Sequence, residues 1–279
     1  MTFPPLSLIL LLLPVTSLFA AEPILLDETT GYYSLGKHLE ILEDREKRWT
    51  IEEVSVPDFP HHFAASQMEI PHFGFTSSAY WVRFTLKNST DRTGEWLLEA
   101  AWPPLDRVDL YVPGTQAPGG WTVRKTGDHL PFHRREVTHR NYVFRLRVAP
   151  DQPRTFYMRF ETTLEFATPL FLWSPEAFAS KDQKAHLLLG LYYGIISVMV
   201  LYNLFLFFAL KDLAYLYYVL LTGSFGVIMA ILNGIAFQFL WPESPEWNWQ
   251  AFHLIGSFGM VVAYKFTQKF LATKIYTPR

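Results

Sequence analysis

Residues 187–210 read LLLGLYYGIISVMVLYNLFLFFAL, 24 residues without a charged side chain, and they divide the chain in two. As a helix rising 1.5 Å per residue the run is about 36 Å long, enough to cross about 30 Å of hydrocarbon. A second uncharged run, residues 213–241, predicts a second span. Residues 251–271 predict a third, with Lys265 and Lys269 reaching to the interface. Upstream the composition is different. Residues 22–185 carry 19 Lys/Arg and 23 Asp/Glu, against five and three in residues 186–279. That contrast says a soluble domain followed by a membrane domain embedded in lipid. No basic excess exists to attract nucleic acid. The absence of cysteine excludes disulfides, thiolate catalysis and cysteine-bound zinc.

At the N-terminus, Leu6–Leu13 is an apolar run broken only by Ser7, and small residues follow at Ala20–Ala21. It is too short to span a bilayer and reads as a signal peptide over residues 1–21. Between it and the membrane half the pattern has period two. Tyr80, Val82, Phe84 and Leu86 alternate with Trp81, Arg83, Thr85 and Lys87; Tyr142, Phe144, Leu146 and Val148 alternate with Val143, Arg145 and Arg147; Phe156, Met158 and Phe160 alternate with Tyr157 and Arg159. Punctuated by Pro103-Pro104, Pro113-Gly114 and Gly119-Gly120, such runs predict antiparallel strands with one buried face. Residues 22–180 are therefore expected to form a β-sandwich of jelly-roll kind, and residues 186–272 an α-helical transmembrane bundle of three helices. His38–Arg48 reads weakly as a helix.

Charge sets the orientation. An exported first domain sends the first helix inward, Lys211-Asp212 makes a tight cytoplasmic turn, and Trp241, Trp247 and Trp249 mark the outer interface. Lys265, Lys269, Lys274 and Arg279 then fall at the inner end, as the positive-inside rule expects. The chain reads as a membrane protein with an outer N-terminal domain and a cytoplasmic C-terminus.

Several segments carry a resemblance. Gly190-Leu191-Tyr192-Tyr193-Gly194 with Leu201-Tyr202-Asn203-Leu204-Phe205, then Lys211-Asp212 and Tyr215-Leu216-Tyr217-Tyr218, resemble the first two helices of bacterial seven-transmembrane receptors with diverse intracellular signalling modules. Phe266-Thr267-Gln268-Lys269-Phe270-Leu271 resembles the end of the third. Ser78-Ala79-Tyr80-Trp81-Val82-Arg83-Phe84, Trp96-Leu97-Leu98-Glu99 and Pro169-Leu170-Phe171-Leu172-Trp173 are similar to that family's type-two extracellular domain. The resemblance implies a carbohydrate-binding-like jelly roll that senses a small-molecule or carbohydrate-like ligand. It also implies further transmembrane helices and a cytoplasmic kinase or cyclase module, which this sequence does not carry. The expected function is a sensory receptor fragment, not an enzyme, with no cofactor and no metal. The rival is a membrane-tethered carbohydrate-active hydrolase on the same scaffold, which would need two acids in a groove.

The candidate ligand contacts are the residues out of phase with the buried sets: Trp81, Arg83, Arg145, Arg147, Tyr157 and Arg159. Flat aromatics beside guanidinium forks suit sugar rings and carboxylates. The competing reading pairs these arginines across strands with Glu95, Glu99 or Asp109. The histidines at 61, 62, 72, 129, 133 and 139 match no helical metal motif and are expected at the surface.

Overall fold

The structure, a computed structural model, describes residues 21–271 apart from 58, 60, 62 and 115–119. The expected signal peptide lies, but for its last residue, outside the described residues, as do Lys274 and Arg279.

Among the described residues the strands are β1 (Ile24–Leu26), β2 (Tyr32–Ser34), β3 (Glu40–Asp44), β4 (Ala64–Ala65), β5 (His72–Phe75), β6 (Ala79–Asn88), β7 (Gly94–Ala100), β8 (Arg107–Pro113), β9 (Trp121–Thr126), β10 (Tyr142–Val148), β11 (Arg154–Glu161), β12 (Glu165–Ala167) and β13 (Leu170–Trp173). The first sheet runs β4-β3-β6-β11-β8-β9, with β1 also paired to β6; the second runs β10-β7-β13-β2; β12 and β5 form a small third sheet. Val82, Phe84, Val108, Leu110, Phe156 and Met158 from the first sheet meet Leu98, Tyr142, Phe144, Leu146 and Leu172 from the second in one core. These are the residues that the alternation marks as inward. A side chain on every second residue is removed from water, so the period of the sequence becomes a layer of the fold.

The segment expected as a helix, His38–Arg48, instead supplies β3. Its end is closed by Asp44, whose carboxylate accepts from the backbone N–H groups of Arg48 (3.2 Å) and Trp49 (3.1 Å). The helix comes later: α1 (Ile51–Val54) starts in a capping box in which Thr50 and Glu53 satisfy each other's backbone N–H groups.

In the membrane half, α2 (Pro175–Leu210) begins two residues after β13, capped by Ser174 and opened by Pro175. At 36 residues it is about 54 Å long, a dozen residues longer than its uncharged run. The second uncharged run is not one helix. It divides into α3 (Leu213–Leu232) and the short α4 (Ile235–Phe239) at Gly234, whose φ of +74° is left-handed. A Cβ there would meet the Arg140 carbonyl oxygen at 2.8 Å and Pro103 at 3.1 Å, so glycine permits both the turn and the close approach of the sheet domain. The last helix is α5 (Pro245–Phe270). Helices α2 and α3 are long and apolar enough to cross a membrane.

Helix α3 packs on both α2 and α5. Asn233 donates to the Tyr193 hydroxyl of α2 (3.2 Å), the interhelical bond expected of an amide in an apolar span, whereas Asn203 bonds the Met199 carbonyl of its own helix. Lys269 near the end of α5 pairs with Asp212 in the α2–α3 turn at 3.5 Å.

Candidate functional site: the covered sheet face and the membrane junction

The six expected ligand residues do not share one surface. Trp81, Arg83, Tyr157 and Arg159 stand on the outer face of the first sheet, on β6 and β11. Arg145 and Arg147 stand exposed on β10 of the second sheet, Arg147 directly opposite Glu95. Alternation assigns a residue to one side of its own strand but carries no information about which sheet holds that strand.

Nor is the first face open. The segment after β3, with α1, folds back over it, and Ile51, Val54 and Phe63 pack on Leu42, Trp81, Tyr111 and Tyr157 as a second apolar cluster. Trp81 is 0% exposed and its indole N–H has no hydrogen-bond partner among the described residues. The guanidinium groups are occupied as well. Arg83 binds Glu40 through two bonds (2.7 and 3.1 Å) and lies over the Phe63 ring at 4.4 Å. Arg159 pairs with Glu161 and faces the Trp81 ring at 5.9 Å, opposite Asp109 on β8. This face is a mixed aromatic and ionic layer beneath a cover. At the rim of the cover, Trp49, Phe59 and His61 form an aromatic group with centroids 4.6–5.4 Å apart. It borders a cleft of about 420 Å³ lined by Leu42, Asp44, Arg45, Arg48, Trp49 and His61.

The other concentration of buried polar groups lies where the sheets meet the helices. Glu99 on β7 is 0% exposed, and three donors from distant points converge on it: Asn141 at 2.6 Å, the Trp173 indole at 2.9 Å, and the ammonium of Lys181 on α2. One residue further along α2, Asp182 meets His139 Nε2 at 2.9 Å. His139 Nδ1 accepts from the Asn141 backbone N–H, which leaves Nε2–H to donate to Asp182. Burial pushes the His139 pKa down, against the upward pull of Asp182.

The same loop reaches the α3–α5 connection. The Arg135 guanidinium lies between the rings of Phe132 (4.4 Å) and Tyr142 (4.5 Å), with Phe237 of α4 at 5.6 Å, and donates to the carbonyls of His139 and Arg140. Phe132 donates its N–H to the Pro242 carbonyl, and His133 meets Glu243 at 2.9 Å. Residues 131–141 therefore grip α2 on one side and the α3–α4 turn on the other. Of the histidines expected at the surface, His139 is buried. The Asp-Asp-His group with donor atoms at metal-ligand spacing is Asp106, Asp128 and His129.

Of the junction residues, the sequence names Glu99 only as a cross-strand partner for arginine and His133 and His139 only as surface histidines. The available signal was Lys181-Asp182, the start of a charged helical turn leading through Lys184 into the uncharged run, and the dense polar stretch PFHRREVTHRN at residues 131–141.

No curated protein matches the chain. Residues 36–174 match the family model described as 7TMR-DISM extracellular 2, and residues 185–279 match the one described as 7TM diverse intracellular signalling. The boundary between the matches falls in the first turns of α2, the helix that both halves share. The chain thus belongs to the seven-transmembrane receptors with diverse intracellular signalling modules, and its sheet-rich half is their type-two extracellular sensor domain.

Proposed function

We propose that this chain binds a carbohydrate-like ligand on the periplasmic side of a bacterial inner membrane and relays occupancy through α2 to a cytoplasmic kinase or cyclase module. The observation that carries the reading is the junction: β13 passes into α2 without a linker, and Lys181 of α2 is held by Glu99 in the interior of the sheet domain. A shift of β7 against β13 must then move α2 or break a buried ion pair, which is the discrete choice that a two-state relay needs.

In this reading residues 22–180 form a jelly-roll-type sandwich and α5 is a third span. The Lys269–Asp212 pair supports the span, since it sets the end of α5 level with the α2–α3 turn. The ligand enters the cleft beside Trp49, where an aromatic face stands next to both arginines and carboxylates. Trp81, Arg83, Tyr157 and Arg159 act as the floor under the cover, and Arg145 and Arg147 are the members of the expected set open to direct contact. The hydrolase reading gains nothing from the family matches, which are to receptor domains.

The test is thermal unfolding of the full chain in detergent against neutral and acidic mono- and oligosaccharides. A saturable rise in Tm that Trp49→Ala abolishes and Arg154→Ala leaves intact supports the reading. No rise with any sugar removes the carbohydrate assignment, and a rise untouched by Trp49→Ala moves the site away from this cleft.

A further inference from the structure

Three side chains outside the proposed ligand cleft converge at the start of β8 and the end of β9. Asp106 precedes β8; Asp128 and His129 follow β9. The chain is brought there by Gly127, whose φ is +148° and whose missing side chain matters: a Cβ would stand 2.1 Å from the Asp106 carbonyl oxygen. With glycine in place the strands continue to pair, Asp128 N–H bonding the Leu105 carbonyl at 2.9 Å, and the two carboxylates come to the same place.

His129 Nε2 lies 3.8 Å from Asp106 Oδ1 and 3.9 Å from Asp128 Oδ1, and the donor atoms of the three residues lie within 4.8 Å of one another. A point equidistant from three atoms so spaced is about 2.2–2.5 Å from each, close to the bond lengths of zinc-like ions to imidazole nitrogen and carboxylate oxygen. A second observation is independent of the spacing. Asp128 is 9% exposed, and its Oδ1, the atom that faces His129, is buried without a hydrogen-bond partner among the described residues. Arg135, whose charge acts on Asp128, donates through Nη1 to the carbonyls of His139 and Arg140. The Asp106 Oδ1 lies 3.5 Å from the Thr163 hydroxyl. Two buried carboxylates side by side with so little compensation are costly unless a cation or a proton joins them.

We propose that Asp106, Asp128 and His129 form a binding site for a divalent transition-metal ion of the zinc type. One imidazole and two carboxylates make a mixed nitrogen–oxygen set, which favours such ions over calcium with its six to eight oxygens. Three protein ligands leave a coordination position open, and His129 stands at the surface, giving the ion a way in. Asp128 also lines the narrow cavity between Arg135 and Gly234, Phe237 and Trp249 of the membrane half, so an ion here would brace the junction from the sensor side. The inference is independent of the carbohydrate reading, since no sugar takes part in it.

The experiment uses the full chain in detergent, free of any tag and stripped with a chelator, titrated calorimetrically with zinc chloride and followed by absorption with cobalt(II). One ion per chain is expected, with Asp128→Asn and His129→Ala each weakening it about tenfold or more, and with the cobalt spectrum altered by His129→Ala. His133→Ala, which removes the partner of Glu243, should leave the affinity unchanged. Should Asp128→Asn fail to fold, His129→Ala alone decides, because its side chain is exposed. No stoichiometric binding, binding that survives both variants, or an equal loss in His133→Ala overturns the proposal.

Discussion

Replacing Glu99 with Ala should loosen the sensor domain from the first membrane helix, and its cost can be worked from the contacts. The substitution leaves the Asn141 amide, the Trp173 indole N–H and the Lys181 ammonium without their acceptor. A buried neutral donor left unpaired costs about 1–3 kcal/mol, and breaking one side of a buried ion pair about 3–5 kcal/mol. Lys181 keeps 25% of its side chain in water, which places its share at the low end. A loss of about 5 kcal/mol is expected, which for a unit of this size lowers Tm by about 10–20 °C. Glu99→Gln keeps an acceptor oxygen for only one of the two neutral donors, which bind different oxygens, and should lose somewhat less than Glu99→Ala. The decisive measurement is a cycle of wild type, Glu99→Gln, Lys181→Met and the double variant, unfolded in one detergent. If the pair ties β7 to α2, the double variant is less damaged than the sum of the singles by about 1–3 kcal/mol. Additivity within about 0.5 kcal/mol would refute the tie and with it the relay.

Trp81→Ala should destabilise by about 3–5 kcal/mol, since it empties the centre of the covered cluster, while Trp81→Phe should cost far less because the indole N–H it removes has no partner among the described residues; melts of both variants check this, and equal losses would contradict the burial argument. His139 is held with a lowered pKa chiefly by burial, so the unfolded chain takes up its proton first as acid is added; stability should be full above about pH 6.5 and fall below it, and His139→Gln should flatten that part of the profile. Gly234→Ala should raise the unfolding tendency by about 1–3 kcal/mol through its left-handed φ and the contact with Arg140, and a variant as stable as wild type would show that the α3–α4 turn can relax. A reporter fluorescent only in the cytoplasm should light up when fused after Arg279 and stay dark at Ser244; the reverse pattern defeats the topology.

The inward faces of the strands were legible because burial repeats with the pleat: Val82, Phe84, Leu146 and Met158 are all where alternation puts them. The covered face was not. What buries Trp81 is a segment 18–32 residues upstream of it, Phe63 back to Trp49, and no local period announces a contact over that separation. The same holds for Arg145 and Arg147, whose side of the strand was right and whose sheet was unknowable before pairing was seen. Hydropathy located the lipid-facing part of α2 but was blind to its charged first turns and to the break at Gly234, because a transfer scale registers solvation and not φ. Glu99 stood in the expected list only as a cross-strand partner for arginine; its real partner is a lysine 82 residues on, on a different element.

The unbroken passage from β13 into α2 also has a consequence for anyone who would exchange sensors between receptors of this family. With 3.6 residues per turn, each residue added or removed between Ser174 and Leu187 rotates everything below by about 100° and shifts it by about 1.5 Å. A graft made with a flexible linker could therefore bind and still be silent. One whose splice conserves angular phase, by whole multiples of seven residues, keeps the membrane helices in their orientation relative to the sensor and has the geometric condition for transmission. Sensor and membrane domain are interchangeable parts only in quantised steps.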